Sequence, residues 1–288
     1  MSDAERIMPK TAAAPDVLRE VVAWLDAGSA VAVATVISRQ GSAPSTPGQK
    51  LAITVDGRAI GTIGGGAVER AVIRAMLEAL ESKEPVLPRV HTFRLGPNLG
   101  MCCGGSADVL LEIMRAGAAV LVVGGGHVGL ATSRLLAELG FRTVLVDARE
   151  GVFDGDRGAE ATRAGARLVQ AEHDDPEVVA ALGAPAAESA LVVMTHDHQL
   201  DQAVIEHGLR AGFAFVGGVG SHAKAERTRQ RLAAKDFSEA DVTRVRMPLG
   251  VSVGARRPLE IAIAITAELV GWRAAREGLV RKSTRDDS

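Results

Sequence analysis

Hydrophobic positions change their spacing part-way along this chain. Val17, Val21, Trp24 and Leu25 recur at helical intervals, with Asp16 placed to cap the helix they predict. "AVAVATVIS" (30–38) is a run of β-branched and small residues and predicts a strand. "GSAPSTPGQK" (41–50) holds prolines, glycines and hydroxyl residues and predicts a loop. Residues 50–63 predict a hairpin that turns at Asp56-Gly57, a favoured turn dipeptide. The glycines at 64–66 lead into a helix over 67–80. Strands at 89–95 and 107–114 flank the loop "GPNLGMCCGG". These elements follow no βαβ rhythm, so the first part of the chain is expected to be α+β.

Beyond the short joint "RAGA" (115–118) the pattern changes. "AVLVVGGG" is apolar throughout, as in a strand buried on both faces. A helix over 127–139 stops at Gly140. Further strands are predicted at 142–148, 166–170, 190–196 and 211–218, and helices at 200–210, 222–234 and 258–274. Strands alternating with helices imply a doubly wound parallel sheet. The expected organisation is therefore α/β overall, with an α+β domain over 1–117 and a Rossmann-like domain over 118–288.

Composition narrows the function classes. The 33 Lys and Arg against 35 Asp and Glu give a net charge of −2, with no basic footprint for nucleic acid. No apolar run reaches the length of a membrane span, and the N-terminus lacks a signal-peptide layout. A cytosolic protein with no membrane partner is expected. The two cysteines, Cys102 and Cys103, are adjacent and form no disulfide framework.

Three glycine clusters carry the candidate chemistry. Gly124, Gly126 and Gly129 form G-x-G-x-x-G between a predicted strand and a helix that opens at His127. Asp147 follows at the end of the next strand. In that context the glycines allow a tight turn, close approach of a diphosphate and tight helix packing, and the carboxylate can bond a ribose hydroxyl. The alternative is a scaffold that binds nothing. In the second cluster Gly64, Gly65 and Gly66 precede a helix in the same way, and Glu69 either meets a ligand or complements the helix dipole. In the third, Ser221 belongs to the candidate site, and His222 and Lys224 after "GGVGS" can reach a phosphate; a solvated helix face is the alternative. Cys102 and Cys103 can bind a soft metal or carry sulfur, or simply pack. His196, His198 and Asp201 form His-x-His-x-x-Asp at the carboxyl edge of the sheet, readable as a metal cluster or as a loop that caps its helix through Asp197.

Taken in order, "QGSAPSTPGQK", "GTIGGGAVE", "LGPNLGMCCGG", "VVGGGHVG", "MTHDHQLD", "GGVGSHAK" and "PLGVSVGARRPLEIAIAITAEL" resemble the xanthine dehydrogenase accessory proteins of the XdhC/CoxI family, over nearly the whole chain. The resemblance implies a family-specific N-terminal domain and a C-terminal Rossmann domain. It implies a chaperone rather than a turnover enzyme, one that binds the molybdenum cofactor (molybdopterin) between its domains. Such a chaperone supports cofactor sulfuration with a cysteine desulfurase and delivers the product to apo-xanthine dehydrogenase or a related hydroxylase; a homodimer is expected. Cys102, Cys103 and Gly104 match the family's Cys-Cys-Gly-Gly, which favours a cofactor or sulfur-handling role. Ser45 and Met101 stand where many members carry Arg and Gln. Two rival readings remain: an oxidoreductase with NAD(P) or flavin in the Rossmann loop, and a metal hydrolase built on His196, His198 and Asp201.

Overall fold

The computed structural model describes residues 7–82, 87–95 and 105–276. The chain divides into two compact units, Met1–Ala116 and Gly117–Ser288.

The first unit begins with helix α1 (Ala14–Asp26). Asp16 does not cap it, contrary to the expectation from sequence; the helix starts two residues earlier. Pro15 occupies its first turn, where a fixed φ and a missing N–H cost nothing, and Asp16 sits one place further in. Strands β1 (Val31–Gln40), β2 (Lys50–Thr54) and β3 (Ala59–Gly61) follow. Helix α2 (Gly66–Glu81) and strands β4 (Arg89–Leu95) and β5 (Gly105–Met114) complete the unit. The sheet is antiparallel in the order β3-β2-β1-β5-β4. Alternation along β1 divides its core. Ala32, Ala34 and Val36 pack with Val68, Val72 and Met76 of α2, while Val31 and Val33 pack with Val17, Val21 and Trp24 of α1. A sheet with a helix on each face accounts for the apolar run that predicts β1.

The second unit has thirteen α-helices and strands and one short 3-10 helix (Ala186–Glu188) among the described residues. The helices and strands are β6 (Ala119–Val123), α3 (His127–Glu138), β7 (Arg142–Val146), α4 (Asp156–Arg163), β8 (Arg167–Val169), α5 (Pro176–Leu182) and β9 (Ala190–Val193). After these come α6 (His198–Arg210), β10 (Phe215–Gly218), α7 (His222–Ala233), α8 (Glu239–Arg244), β11 (Val245–Arg246) and α9 (Pro258–Arg276). The six strands are parallel in the order β11-β10-β9-β6-β7-β8. Counted within the unit this is the 3-2-1-4-5-6 order of the doubly wound dinucleotide-binding fold, with its reversal between β6 and β9. Sequence periodicity does not predict α4, α5, α8 or β11. On one face Leu121 and Val123 pack with α5, α6 and α7; on the other Val120 and Val122 pack with α3, α4 and α9. Burying such a side chain contributes roughly 1.5–3 kcal/mol, so the sheet is the stability centre of the unit. Among the described residues no helix is long and apolar enough to cross a membrane.

The glycine fingerprint has a packing consequence. A Cβ on Gly129 would stand 1.8 Å from the Gly124 carbonyl oxygen, whereas one on Gly126 would meet nothing within 4 Å. Gly129→Ala is therefore expected to destabilise the unit by about 1–3 kcal/mol, the range for overpacking, and Gly126→Ala by less than that. Chemical denaturation of both variants checks the contrast; equal losses would contradict it.

Candidate functional site

Backbone ladders carry past the strand ends and align the turns beyond them. Gly124 N–H donates to Val146 O (2.9 Å), Met194 N–H to Val123 O (2.9 Å) and Val219 N–H to Val193 O (2.9 Å). The turns after β7, β6, β9 and β10 therefore stand side by side at the carboxyl edge, where the order of strands reverses. Open α/β sheets bind ligands at this point.

The turn after β6 is shaped by glycine. Gly124 has φ +116, and a Cβ there would lie 2.5 Å from Met194 O, so its backbone sits directly on the turn after β9. Gly126 is the cap residue of α3 and provides no side-chain cap bond. The first N–H groups of α3 thus lack intrahelical partners, and the space over Gly126 is open. His127, the first residue of α3, is exposed.

The sequence pattern offers the Asp147 carboxylate to a ribose; the structure commits it elsewhere. Oδ2 accepts Gly125 N–H and Arg149 Nη2, both at 2.7 Å. Oδ1 accepts Arg149 N–H at 3.0 Å and Arg149 Nε at 2.9 Å. Burial opposes ionisation of this carboxyl, but the Arg149 side chain and the Arg149 and Gly125 N–H groups outweigh it and hold its pKa below the ordinary carboxylate value.

The metal cluster read from His196, His198 and Asp201 is not assembled. Among the described residues no three His, Cys, Asp or Glu side chains are placed to hold a metal ion. His196 and His198 are exposed, while Asp201 is buried and turned to other partners. Its Oδ1 accepts Thr195 N–H (3.0 Å) and Thr195 Oγ1 (2.7 Å), and its Oδ2 pairs with Lys224 Nζ. Lys224 Nζ also donates to Val219 O (3.0 Å), so one ammonium ties the turn after β10 to the turn after β9. Asp197 caps α6 by accepting Gln199 N–H (2.7 Å), the alternative the sequence offers for this loop. Ser221 caps α7, accepting Lys224 N–H at 3.2 Å.

In the first unit Gly64, Gly65 and Gly66 have φ of +119, +73 and +68. Three consecutive left-handed residues make a turn that other residue types resist. Glu69 reaches back into it: Oε2 accepts Thr62 Oγ1 (2.6 Å), Ile63 N–H (3.0 Å) and Gly65 N–H (3.2 Å). Its role is to fix the turn from inside α2. The space over Gly65 is open, while a Cβ on Gly64 would strike the backbone of Pro44 and Ser45. Ser45 is fully buried and its hydroxyl has no hydrogen-bond partner among the described residues.

Residues 120–269 match the XdhC Rossmann domain, and residues 24–93 match the XdhC and CoxI family. The first match alone covers more than half of the chain. The chain belongs to the XdhC and CoxI family. It is 29% identical over 240 residues to the Escherichia coli protein YqeB, an alignment covering 83% of this chain and 43% of YqeB. It is 24% identical over 292 residues to the Escherichia coli molybdenum cofactor insertion chaperone PaoD, covering 91% of this chain and 89% of PaoD. It is 27% identical over 154 residues to a Bacillus subtilis protein named as a probable xanthine dehydrogenase subunit, covering 54% of this chain and 42% of that protein. The chain thus spans less than half the length of the first and third relatives.

For an XdhC/CoxI chain, one of the two departures gains a physical reading. Where many members carry Arg, the buried Ser45 lies on a loop whose carbonyls Ala43 O and Ser45 O accept Arg39 Nη1 at 3.3 and 3.4 Å, so a cation reaches this loop from β1. Met101 and the pair Cys102 and Cys103, with Gly104, lie outside the described residues. Sequence reasoning missed Arg149, Thr195 and Arg39. The first had a signal, since Asp147-x-Arg149 allows a side chain to fold back onto its neighbour but one. The other two act through the tertiary fold.

The Asp201–Lys224 pair has side chains 4% and 15% exposed. Lys224→Met would strand a buried carboxylate, at a cost of about 3 kcal/mol. Adding Asp201→Asn, which keeps an acceptor for Thr195, should recover most of that loss. A double-mutant cycle by denaturation measures both; additive losses would show that the pair does not join the two turns.

Proposed function

We propose that this chain binds a molybdenum cofactor and delivers it to a xanthine dehydrogenase-type hydroxylase. The observation that carries the reading is the near end-to-end similarity to PaoD, named as a molybdenum cofactor insertion chaperone, within a family named for XdhC. The Bacillus subtilis relative, by its name, supports the class of client. We further infer that cofactor sulfuration with a cysteine desulfurase precedes delivery, that Cys102 and Cys103 handle the metal or its sulfur, and that the working form is a homodimer.

The geometry suits cargo that must be held and then released. Open space over Gly65 and over Gly126 lets a pterin or phosphate approach backbone N–H groups at the starts of α2 and α3. Neutral N–H bonds are individually modest, so a set of them holds a ligand without the strong charge pairs that slow its release. The order of strands in the second unit supports a second ligand, a nucleotide such as NAD(P), at Gly124 and Gly126.

Protein purified from a molybdenum-replete host is expected to carry molybdenum and pterin in equal amount and to reactivate an apo-hydroxylase. The double variant Cys102→Ser, Cys103→Ser should retain less cofactor and reactivate poorly. Metal and pterin analysis with a reactivation assay decides it: protein that carries no cofactor and reactivates nothing removes the reading, and an unimpaired double variant removes the thiols from it.

A further inference from the structure

A carboxylate at the end of the second strand of a doubly wound sheet ordinarily accepts a ribose hydroxyl, or is accompanied by an arginine that takes a ribose phosphate. Asp147 occupies that position. A carboxylate offers about four lone-pair sites, and here four N–H donors fill them: Gly125 N–H and Arg149 Nη2 on Oδ2, and Arg149 N–H and Nε on Oδ1. A ribose hydroxyl arriving at Asp147 finds no free acceptor. It must displace either the guanidinium or the N–H that holds the glycine turn in shape.

Arg149 is held on one edge only. Its Nε and Nη2 are spent on Asp147, and Nη1 makes no hydrogen bond among the described residues. The side chain remains 45% exposed. Glu150 and Asp154, on the same loop, form no ion pair with it. The guanidinium is thus held by one edge, and it shares Asp147 Oδ2 with the N–H of Gly125 in the glycine turn. Neighbouring turns at this edge add the exposed imidazoles of His127, His196, His198 and His222, whereas their carboxylates, Asp197 and Asp201, are already hydrogen-bonded. On the Arg149 loop the carboxylates of Glu150 and Asp154 are exposed as well, so the case for a phosphate rests on the oriented guanidinium and not on the net charge of the edge.

We infer that the Asp147–Arg149 pair sets the ligand class of the Rossmann turn: it accepts a ligand that presents a phosphate monoester to Arg149 and rejects one that must donate a bare ribose diol to Asp147. Arg149 is the specificity-determining residue. The inference rests on the reading that this turn is a working ligand site, and it is independent of whether the chain delivers a cofactor. The shared chemistry is a phosphate monoester beside the crevice, which either a 2′-phosphorylated dinucleotide or a phosphorylated pterin supplies.

The test is calorimetric titration of the full chain with NADP+ and NAD+, which differ only in that phosphate. NADP+ should bind about tenfold more tightly or better, the scale of a charge-assisted contact. Arg149→Ala should abolish the preference by weakening NADP+, and should hold or improve NAD+ affinity because Asp147 is freed. Arg149→Lys should keep part of the preference, as a point charge without the fork. Circular dichroism of each variant reports folding. Equal affinity for the two nucleotides, no binding of either, or an unchanged ratio in Arg149→Ala overturns the inference. Repeating the titration on cofactor-loaded protein separates the sources: NADP+ excluded by the cofactor assigns Arg149 to the pterin phosphate as well, and undiminished NADP+ binding assigns it to the nucleotide alone. Failure to reactivate an apo-hydroxylase, with the nucleotide preference intact, would remove the delivery reading and leave this one standing.

Discussion

The carboxylate of Asp147 and the N–H of Gly125 form the contact on which the shape of the second unit's glycine turn depends. That bond is made in the interior, at the end of β7, and it positions a turn with no side chains of its own to hold it. Without an anchor, a run of glycines loses more conformational entropy on ordering than any other sequence would. With one, the turn keeps a defined shape and leaves the space over Gly126 open.

The same solution recurs at each glycine cluster. Glu69 binds the turn before α2 through Ile63 and Gly65. Asp147 binds the turn before α3. Asp201 holds the turn after β9 through Thr195 and, through Lys224, reaches the turn after β10. In each case an acidic side chain accepts backbone N–H groups or a side-chain donor that fixes the turn.

Much of the fold is legible because its signals are local. Continuous apolar runs mark β6 and β9, and strand β4 falls over the residues the sequence predicts. Two glycines of the Rossmann turn sit as their spacing suggests, Gly124 in the turn with φ +116 and Gly129 packed on the Gly124 carbonyl, and the space over Gly126 is open. What is not legible is short or non-local. Helix α4 is polar and carries Gly158 in its middle, α5 has seven residues, and β11 is a two-residue strand whose pairing with β10 is the only sign of it. The metal reading fails for a related reason. His196, His198 and Asp201 are close in sequence, but Asp201 lies within α6, where it turns inward to meet a lysine 23 residues away. No periodicity reports that partner. The occupied state of Asp147 has a local signal instead: the arginine that fills it lies two residues on, although the motif itself predicts only the carboxylate.

The central claim is that the glycine turns hold cargo through backbone N–H groups. Amide hydrogen exchange, compared between cofactor-loaded and cofactor-free protein, tests it most directly. The account predicts slowed exchange at residues 66–68 and 126–128, with the outer helix faces unchanged. Identical exchange at both stretches in the two forms would contradict it, and would leave these turns as scaffold rather than site.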